Sequence, residues 1–208
     1  LTGRRGSFVR TRQLLANGGW RGPRDAAESY VEEADLAALG GLPAARAAGV
    51  DLLVAPLESA AARAAAEAGL RVLLRLPYRL GESDGERLAR LGALGGAGLA
   101  LWGLLPAPVG EPYGLDTLRL FALCRLALPT VPHLLADVGA LGPRLAQMAF
   151  GFGADELYAP IVAERALRLG ANAHNPALTR KEAATLIRGA GLAPAERRGD
   201  GSFEEVPA

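Results

Sequence analysis

The chain has 208 residues, half of them hydrophobic but only 5% aromatic, with 23 basic against 22 acidic side chains and a net charge of +1. That length allows one domain with a sizeable core, built here from Leu, Ala and Val. The balanced charge gives no electrostatic case for nucleic acid. A single cysteine excludes an internal disulfide and fits a reducing cytoplasm, and no apolar run reaches the ~18 residues of a membrane span.

Residues 1–24 are basic and glycine-rich, and no apolar segment of signal-peptide type follows them. Phe8 to Leu15 reads as one short helix within a loosely ordered arm. Trp20 and its flanking arginines are the features that would dock such an arm on a partner. Asp25 to Gly40 reads as a helix with Ala34, Leu36, Ala37 and Leu39 on its apolar side, stopped by Gly40 and Gly41. A shorter helix, Pro43 to Ala48, leads into Gly49.

From Gly49 onward strands and helices alternate. Val50 to Val54 and Arg71 to Leu76 are short apolar strands, with an alanine-rich helix from Glu58 to Gly69 between them. Ser83 to Leu94 is a helix that Ser83 and Glu86 open as a capping box. Gly98 to Leu105 reads as the third strand. Asp116 to Ala127 is an amphipathic helix with an acidic first turn, and Pro129 and Pro132 bar its continuation. His133 to Val138, bounded by Pro132 and Gly139, is a buried strand. Gly142 and Pro143 open a further helix with Leu145, Met148, Ala149 and Phe152 on one face. Gly153-Ala154-Asp155-Glu156 closes it and delivers two carboxylates to the expected C-terminal edge of the sheet. In the tail, Thr179 and Glu182 form a second capping box on a helix that runs to Gly189.

Alternation at this spacing demands right-handed crossovers and a parallel sheet. About five units fit, short of a complete eight-unit barrel. The expected fold is α/β: a partial (βα) TIM-like barrel of about five parallel strands with outer helices. The strands are centred near Leu53, Leu73, Ala100, Leu135 and Leu157. Residues 1–40 are expected as an N-terminal arm and helix, and 41–208 as the partial barrel with its C-terminal helix. Leu52, Val54, Leu73, Leu76, Leu99 and Leu101 face both sides of their strands, so one apolar face needs a cover. The N-terminal segment, helices on both faces, or a second subunit could supply it. The scarcity of apolar residues before Ala34 favours a homo-oligomer.

The run ALCRLALPTVPHLLADVGALGPRLAQMAFGFGADEL resembles the second half of the barrel in the radical SAM enzymes of the futalosine route to menaquinone. That group comprises aminofutalosine synthase and dehypoxanthine futalosine cyclase, with the deazaflavin-forming FO synthase as a relative. Cys124-Arg125-Leu126, the Pro132-His133 step, Gly142-Pro143, Gln147 and Gly153-Ala154-Asp155 carry the resemblance. It extends upstream to about Val50, with Glu82-Ser83 and Glu86-Arg87 at the family's Glu-Thr-x-x-Glu-Arg spacing. Downstream it reaches about Arg197, with Pro194, Arg197 and Arg198 resembling the family's last residues. Pro77-Tyr78-Arg79 stands where the family has a Gly-His pair, so that histidine is absent.

The resemblance implies a barrel, a [4Fe-4S] cluster on a Cys-x3-Cys-x2-Cys loop, and S-adenosylmethionine. This chain departs from it chemically. Cys124 stands alone on a helical face and reads as a small hydrophobe, where a cluster needs several thiolates. No cofactor is therefore expected in this chain, and radical chemistry is not expected either. The cluster half was lost or lies upstream of Leu1, and loss is the favoured expectation. Two histidines and one cysteine make a metal site unexpected.

Candidate substrate-binding residues are Asp155 and Glu156, which could hydrogen-bond a ribose or act as acid and base, with Glu164, Arg125 and His133. Glu164 is placed there by the resemblance. After Asp155-Glu156 the family's Gly-Thr is replaced by Leu157-Tyr158, an altered substrate-facing end. Two functions are expected. One is a cluster-less relative that binds a nucleoside-like ligand or assists a pathway enzyme. The other is a non-catalytic interaction subunit, closed by its own copy or by a cluster-bearing partner chain.

Overall fold

A computed structural model describes residues 5–21, 26–112, 114–162, 177–198 and 202–207. The first strands come from the glycine-rich segment: β1 (Arg5–Phe8), β2 (Thr11–Leu14), the short β3 (Trp20–Arg21) and β4 (Glu28–Glu32). Helices α1 (Glu33–Leu39) and α2 (Leu42–Ala47) follow. The chain then alternates through β5 (Leu52–Pro56), α3 (Ala60–Glu67), β6 (Arg71–Tyr78), α4 (Asp84–Gly96), β7 (Gly103–Pro108), α5 (Gly114–Ala127) and β8 (His133–Asp137). Next come α6 (Val138–Leu141), α7 (Pro143–Ala149), a 3-10 turn, and β9 (Glu156–Tyr158). The paired β10 (Ile161–Val162) and β11 (Leu178–Thr179), α8 (Arg180–Gly189), β12 (Ala193–Arg197) and β13 (Phe203–Glu205) complete the order.

The α/β class and the parallel central sheet agree with the sequence reading, but the strand number does not. Eleven strands form one sheet in the order β13-β12-β1-β9-β8-β7-β6-β5-β4-β2-β3, where about five were expected. All its pairings are parallel except β12 with β13 and β2 with β3. Leu53, Leu73, Leu135 and Leu157 do lie in strands. Ala100 does not, because the third predicted strand begins only at Gly103. Phe8 to Leu15 is not a helix, and Glu28–Glu32 of the expected Asp25 to Gly40 helix form β4 instead.

Only Val9 and Arg10 separate β1 from β2, a link that spans at most about 11 Å. Yet β1 sits between β12 and β9, while β2 sits between β4 and β3. A sheet whose two arms are joined by so short a link must curl until those arms meet, and the result is a barrel-like shell.

Period-two alternation sorts the side chains into two cores. Leu53, Val72, Leu74, Leu104, Leu134 and Ala136 face the helices. Leu52, Val54, Leu73, Leu105 and Leu135 face the other way, into the concave interior, and are at most 2% exposed. The chain thus covers the inner faces of these strands itself, which removes that ground for expecting a second subunit. Leu99 and Leu101, also read as strand residues, precede β7 and are partly buried on the helix side.

Gly6 explains why the first segment misleads a sequence reading. A Cβ there would lie 2.8 Å from Ile187 Cγ2 and 2.9 Å from Phe150 Cε1, so β1 passes directly beneath α8 and the 3-10 turn. Glycine allows a close approach here rather than marking a loose arm. Gly6→Ala should destabilise the protein by about 1–3 kcal/mol through overpacking. Gly92→Ala is the control, since a Cβ at Gly92 on α4 meets nothing within 4 Å. It should be neutral or stabilise by up to about 1 kcal/mol. Urea unfolding of both variants checks this, and a neutral Gly6→Ala would restore the loose-arm reading.

Candidate functional site

The concave interior carries charged side chains at both ends of its leucine waist. At the N-terminal end the strands begin with Glu28 (β4), Arg71 (β6), His133 (β8) and Glu156 (β9), while β12 ends here with Arg197. Arg197 is 2% exposed and grips Glu156, with Nε to Oε2 at 2.8 Å and Nη2 to Oε1 at 2.9 Å. It also donates to both oxygens of Glu28, at 3.3 and 3.2 Å. Arg71 adds a 2.7 Å ion pair to Glu28, and the Ser7 hydroxyl donates to Glu156 at 3.1 Å. The Trp102 ring lies 4.5 Å from the Arg197 guanidinium and 4.7 Å from the His133 ring. Burial alone would lower the Arg197 pKa, but the bonds and charges of Glu156 and Glu28 outweigh it and hold it raised.

Three of the predicted site residues meet beside this network. The Asp155 carboxylate accepts from Arg125 Nη2 at 3.0 Å and from the Leu134 amide at 2.6 Å, and pairs with His133 Nδ1 at 2.8 Å. Arg125 also donates to the Gly153 and Val131 carbonyls at 3.0 and 2.9 Å. The side chain thereby ties α5 to the starts of β8 and β9. Asp155 and Glu156 were expected at the C-terminal edge of the sheet, His133 at the start of its strand and Arg125 on the helix before it. Glu156 is instead the first residue of β9, so all four sit at the N-terminal end. The run Gly153-Ala154-Asp155-Glu156 enters its strand rather than leaving one. Glu164 lies outside the described residues.

The C-terminal end is composed differently. Continuing along the inward positions, β4 presents Tyr30 and Glu32, β6 presents Arg75, β8 ends in Asp137 and β9 in Tyr158. Arg75 Nη2 donates to Glu32 Oε1 at 2.7 Å. Its Nε and Nη1, and Glu32 Oε2, make no hydrogen bond among the described residues. Asp137 Oδ1 accepts from the Gly139 and Ala140 amides at 2.8 and 3.2 Å, which caps α6 and leaves Oδ2 unbonded among the described residues. The Tyr30 and Tyr158 rings pack edge to face with centroids 6.4 Å apart, and the Tyr30 hydroxyl donates to Gln13 Oε1 at 3.4 Å.

Burial pushes the Tyr158 phenol well up, reinforced by the neighbouring Tyr30 and the Glu32 charge. Burial also raises the Asp137 carboxyl, against the opposing pull of the Ala140 and Gly139 amides and the Arg75 charge. The two tyrosines form one wall of a pocket of ≈ 110 Å³, whose other walls are Thr11, Arg21 and the run from Ala159 to Val162. The pocket lies at the seam of the sheet. There β9 leaves β1 after Leu157, and β10 pairs with β11 instead.

None of Tyr30, Glu32, Arg75 or Asp137 was singled out from sequence, and Tyr158 was noted only as a departure from the resembled family. The signal was available in the alternation: Arg71, Leu73 and Arg75 share one face of β6, as do Glu28, Tyr30 and Glu32 on β4. Charges and apolar residues that share a strand face mark a polar barrel interior, not a solvent face. The [4Fe-4S] cluster of the resembled family does not fit these residues. Cys124 is 1% exposed within α5, and burial pushes its thiol up to about 12, so it stays neutral. Among the described residues no group of three or more His, Cys, Asp or Glu side chains is placed to hold a metal ion, and no helix is long and apolar enough to cross a membrane.

No family model matches the chain. Aminodeoxyfutalosine synthase of Thermus thermophilus is 34% identical over 93 residues, which is 45% of this chain and 24% of that protein. The chain therefore spans about a quarter of the length of the curated relative it matches. The crystal structure of N-acetylneuraminic acid synthetase from Leptospira borgpetersenii serovar Hardjo-bovis superposes with a TM-score of 0.53. It shares 14% identity and covers 91% of this chain and 83% of that one. This second likeness is one of fold alone.

The raised Asp137 carboxyl has a consequence for stability. A folded-state pKa above the unfolded value means that the native state binds the proton more tightly. The group's favourable contribution is full below the ordinary aspartate pKa of about 3.9 and is lost as pH rises through the raised native value. Asp137→Asn keeps a capping oxygen and should raise the unfolding midpoint at pH 7, with an advantage that shrinks toward pH ~4. Thermal unfolding across that range checks the sign, and an advantage that grows on acidification would contradict it.

Proposed function

We propose that this protein is a non-radical relative of the futalosine-pathway enzymes that binds a nucleoside-like small molecule at the C-terminal end of its barrel-like sheet. The observation that carries the reading is the tyrosine-walled pocket, whose Tyr30 shares a strand face with Glu32, the partner of Arg75, and whose Tyr158 is the register partner of Asp137. Curled parallel sheets take ligands at the carboxyl ends of their strands. An aromatic wall beside a few polar groups suits a flat ring with a hydroxylated substituent. The partial match to aminodeoxyfutalosine synthase supports the same ligand class, because that protein's name is that of a nucleoside derivative. The buried, neutral Cys124 supports the absence of cluster chemistry. The charged groups at the N-terminal end bond mainly to one another, so the ligand is assigned to the opposite end from Asp155, Glu156, Arg125 and His133.

Calorimetric titration with purine and pyrimidine nucleosides tests the proposal. Binding should be saturable and should weaken at least about tenfold, ~1.4 kcal/mol, in Tyr158→Ala. In Arg125→Gln, at the other end, the unfolding midpoint should fall while the affinity of the folded protein is kept. Loss of affinity in Arg125→Gln with none in Tyr158→Ala would move the site to the N-terminal end. Failure of every nucleoside to bind would remove the reading.

A further inference from the structure

We infer that Arg75, Glu32 and Asp137 form a reader for a vicinal diol, so that the two adjacent hydroxyls of the ligand decide which molecules the C-terminal end accepts. The inference rests on the nucleoside-like reading above and deepens it. A hydroxyl both donates and accepts, and a diol is best held by acceptors on two sides with a donor between them. Arg75 and Glu32 supply that pattern directly. Their 2.7 Å bond uses Nη2 and Oε1, which leaves Nε and Nη1 as donors and Oε2 as acceptor among the described residues. Asp137 supplies the second acceptor, since the α6 amides occupy only Oδ1.

Three further observations bring these groups to one place. Arg75 interacts electrostatically with both Asp137 and Tyr158, and Glu32 with Tyr158. Asp137 and Tyr158 are register partners on β8 and β9. Tyr158 and Tyr30 also wall the pocket. A ring seated against the tyrosines would therefore direct its substituent at the three polar groups.

The charges suit a neutral polyol. The Glu32 and Asp137 carboxyls are matched by Arg75 and by Arg21 on the pocket wall, so no surplus positive charge is left to draw a phosphate or carboxylate. Each hydroxyl of a diol can instead donate to Oε2 or Oδ2 and accept from Arg75, a charge-assisted arrangement on both sides. A ligand without hydroxyls would leave desolvated charged groups unpaired, the strongest ground on which a site rejects an analogue.

The test is titration of the full chain with adenosine, 2′-deoxyadenosine, 2′,3′-dideoxyadenosine and adenine, repeated with Glu32→Gln and Asp137→Asn. Adenosine should bind at least about tenfold more tightly than the dideoxy compound and adenine. That preference should collapse in both variants, which would retain the weaker affinity for the dideoxy compound. Unfolding midpoints of the variants show that they are folded, and retained dideoxy affinity shows that the pocket persists. Equal affinity for adenosine and its dideoxy analogue would overturn the diol reader while leaving the nucleoside pocket in place. A preference that persists in both variants would assign it to other residues and overturn the inference too. If none of the four compounds binds, the nucleoside reading fails and the diol reader fails with it.

Discussion

The interaction on which the structure depends is the grip of Arg197 on Glu156 and Glu28. The three residues come from β12, β9 and β4, and the order of the sheet sets β4 far from the other two. Only when the sheet has curled can one guanidinium reach both carboxylates. Arg71 brings in β6 and balances the charge, so two cations serve two anions inside the shell. Such a cluster is costly to assemble, because each ion loses its water. Once assembled it resists loss of a member, since removing one partner of a buried pair costs on the order of 3–5 kcal/mol. Its value here is specificity. A β12 or β4 displaced by one residue would turn Arg197 or Glu28 out of the interior and leave opposite charges stranded.

The same curl produces an asymmetric interior. At the N-terminal end nearly every charge is answered: Glu156 accepts from Arg197 and Ser7, Glu28 from Arg197 and Arg71, and Asp155 from Arg125, His133 and the Leu134 amide. The leucine waist of Leu52, Leu73, Leu105 and Leu135 separates that end from the other. At the C-terminal end the bonding is incomplete, and burial rather than pairing dominates the Asp137 and Tyr158 carboxyl and phenol. A saturated end stabilises, whereas an unsaturated end has bonds left to make with a ligand. The division matches the general one between the stability face and the functional face of parallel barrels.

Much of this was legible from the residues. The units from β5 to β9 follow from apolar runs, proline stops and the Ser83 capping box, and α8 from the Thr179 box; both boxes form as read. Asp155, Arg125 and His133 were each named from sequence as candidate site residues, and the structure brings these three together. Two things were hidden. The N-terminal strands are short and rich in Gly and Arg, so local composition spoke for a loose arm. Their strand character comes from partners far away in sequence, as when Ser7 pairs with Glu156 and Ala195. The end of the sheet at which Asp155 and Glu156 sit was hidden too, because a loop that follows a helix and precedes a short strand looks the same from either side. With β9 only Glu156–Tyr158 long, a shift of a few residues changes the end.

The central claim is that the N-terminal run is a stave of the curled sheet and not an arm laid upon it. Native-state amide hydrogen exchange, resolved by residue, tests it most directly. The account predicts that the ladder-bonded amides of β1 and β2 exchange only through the global unfolding that governs β5 and β6. Exchange of that run at the rate of a frayed terminus, with β5 to β8 still protected, would contradict it.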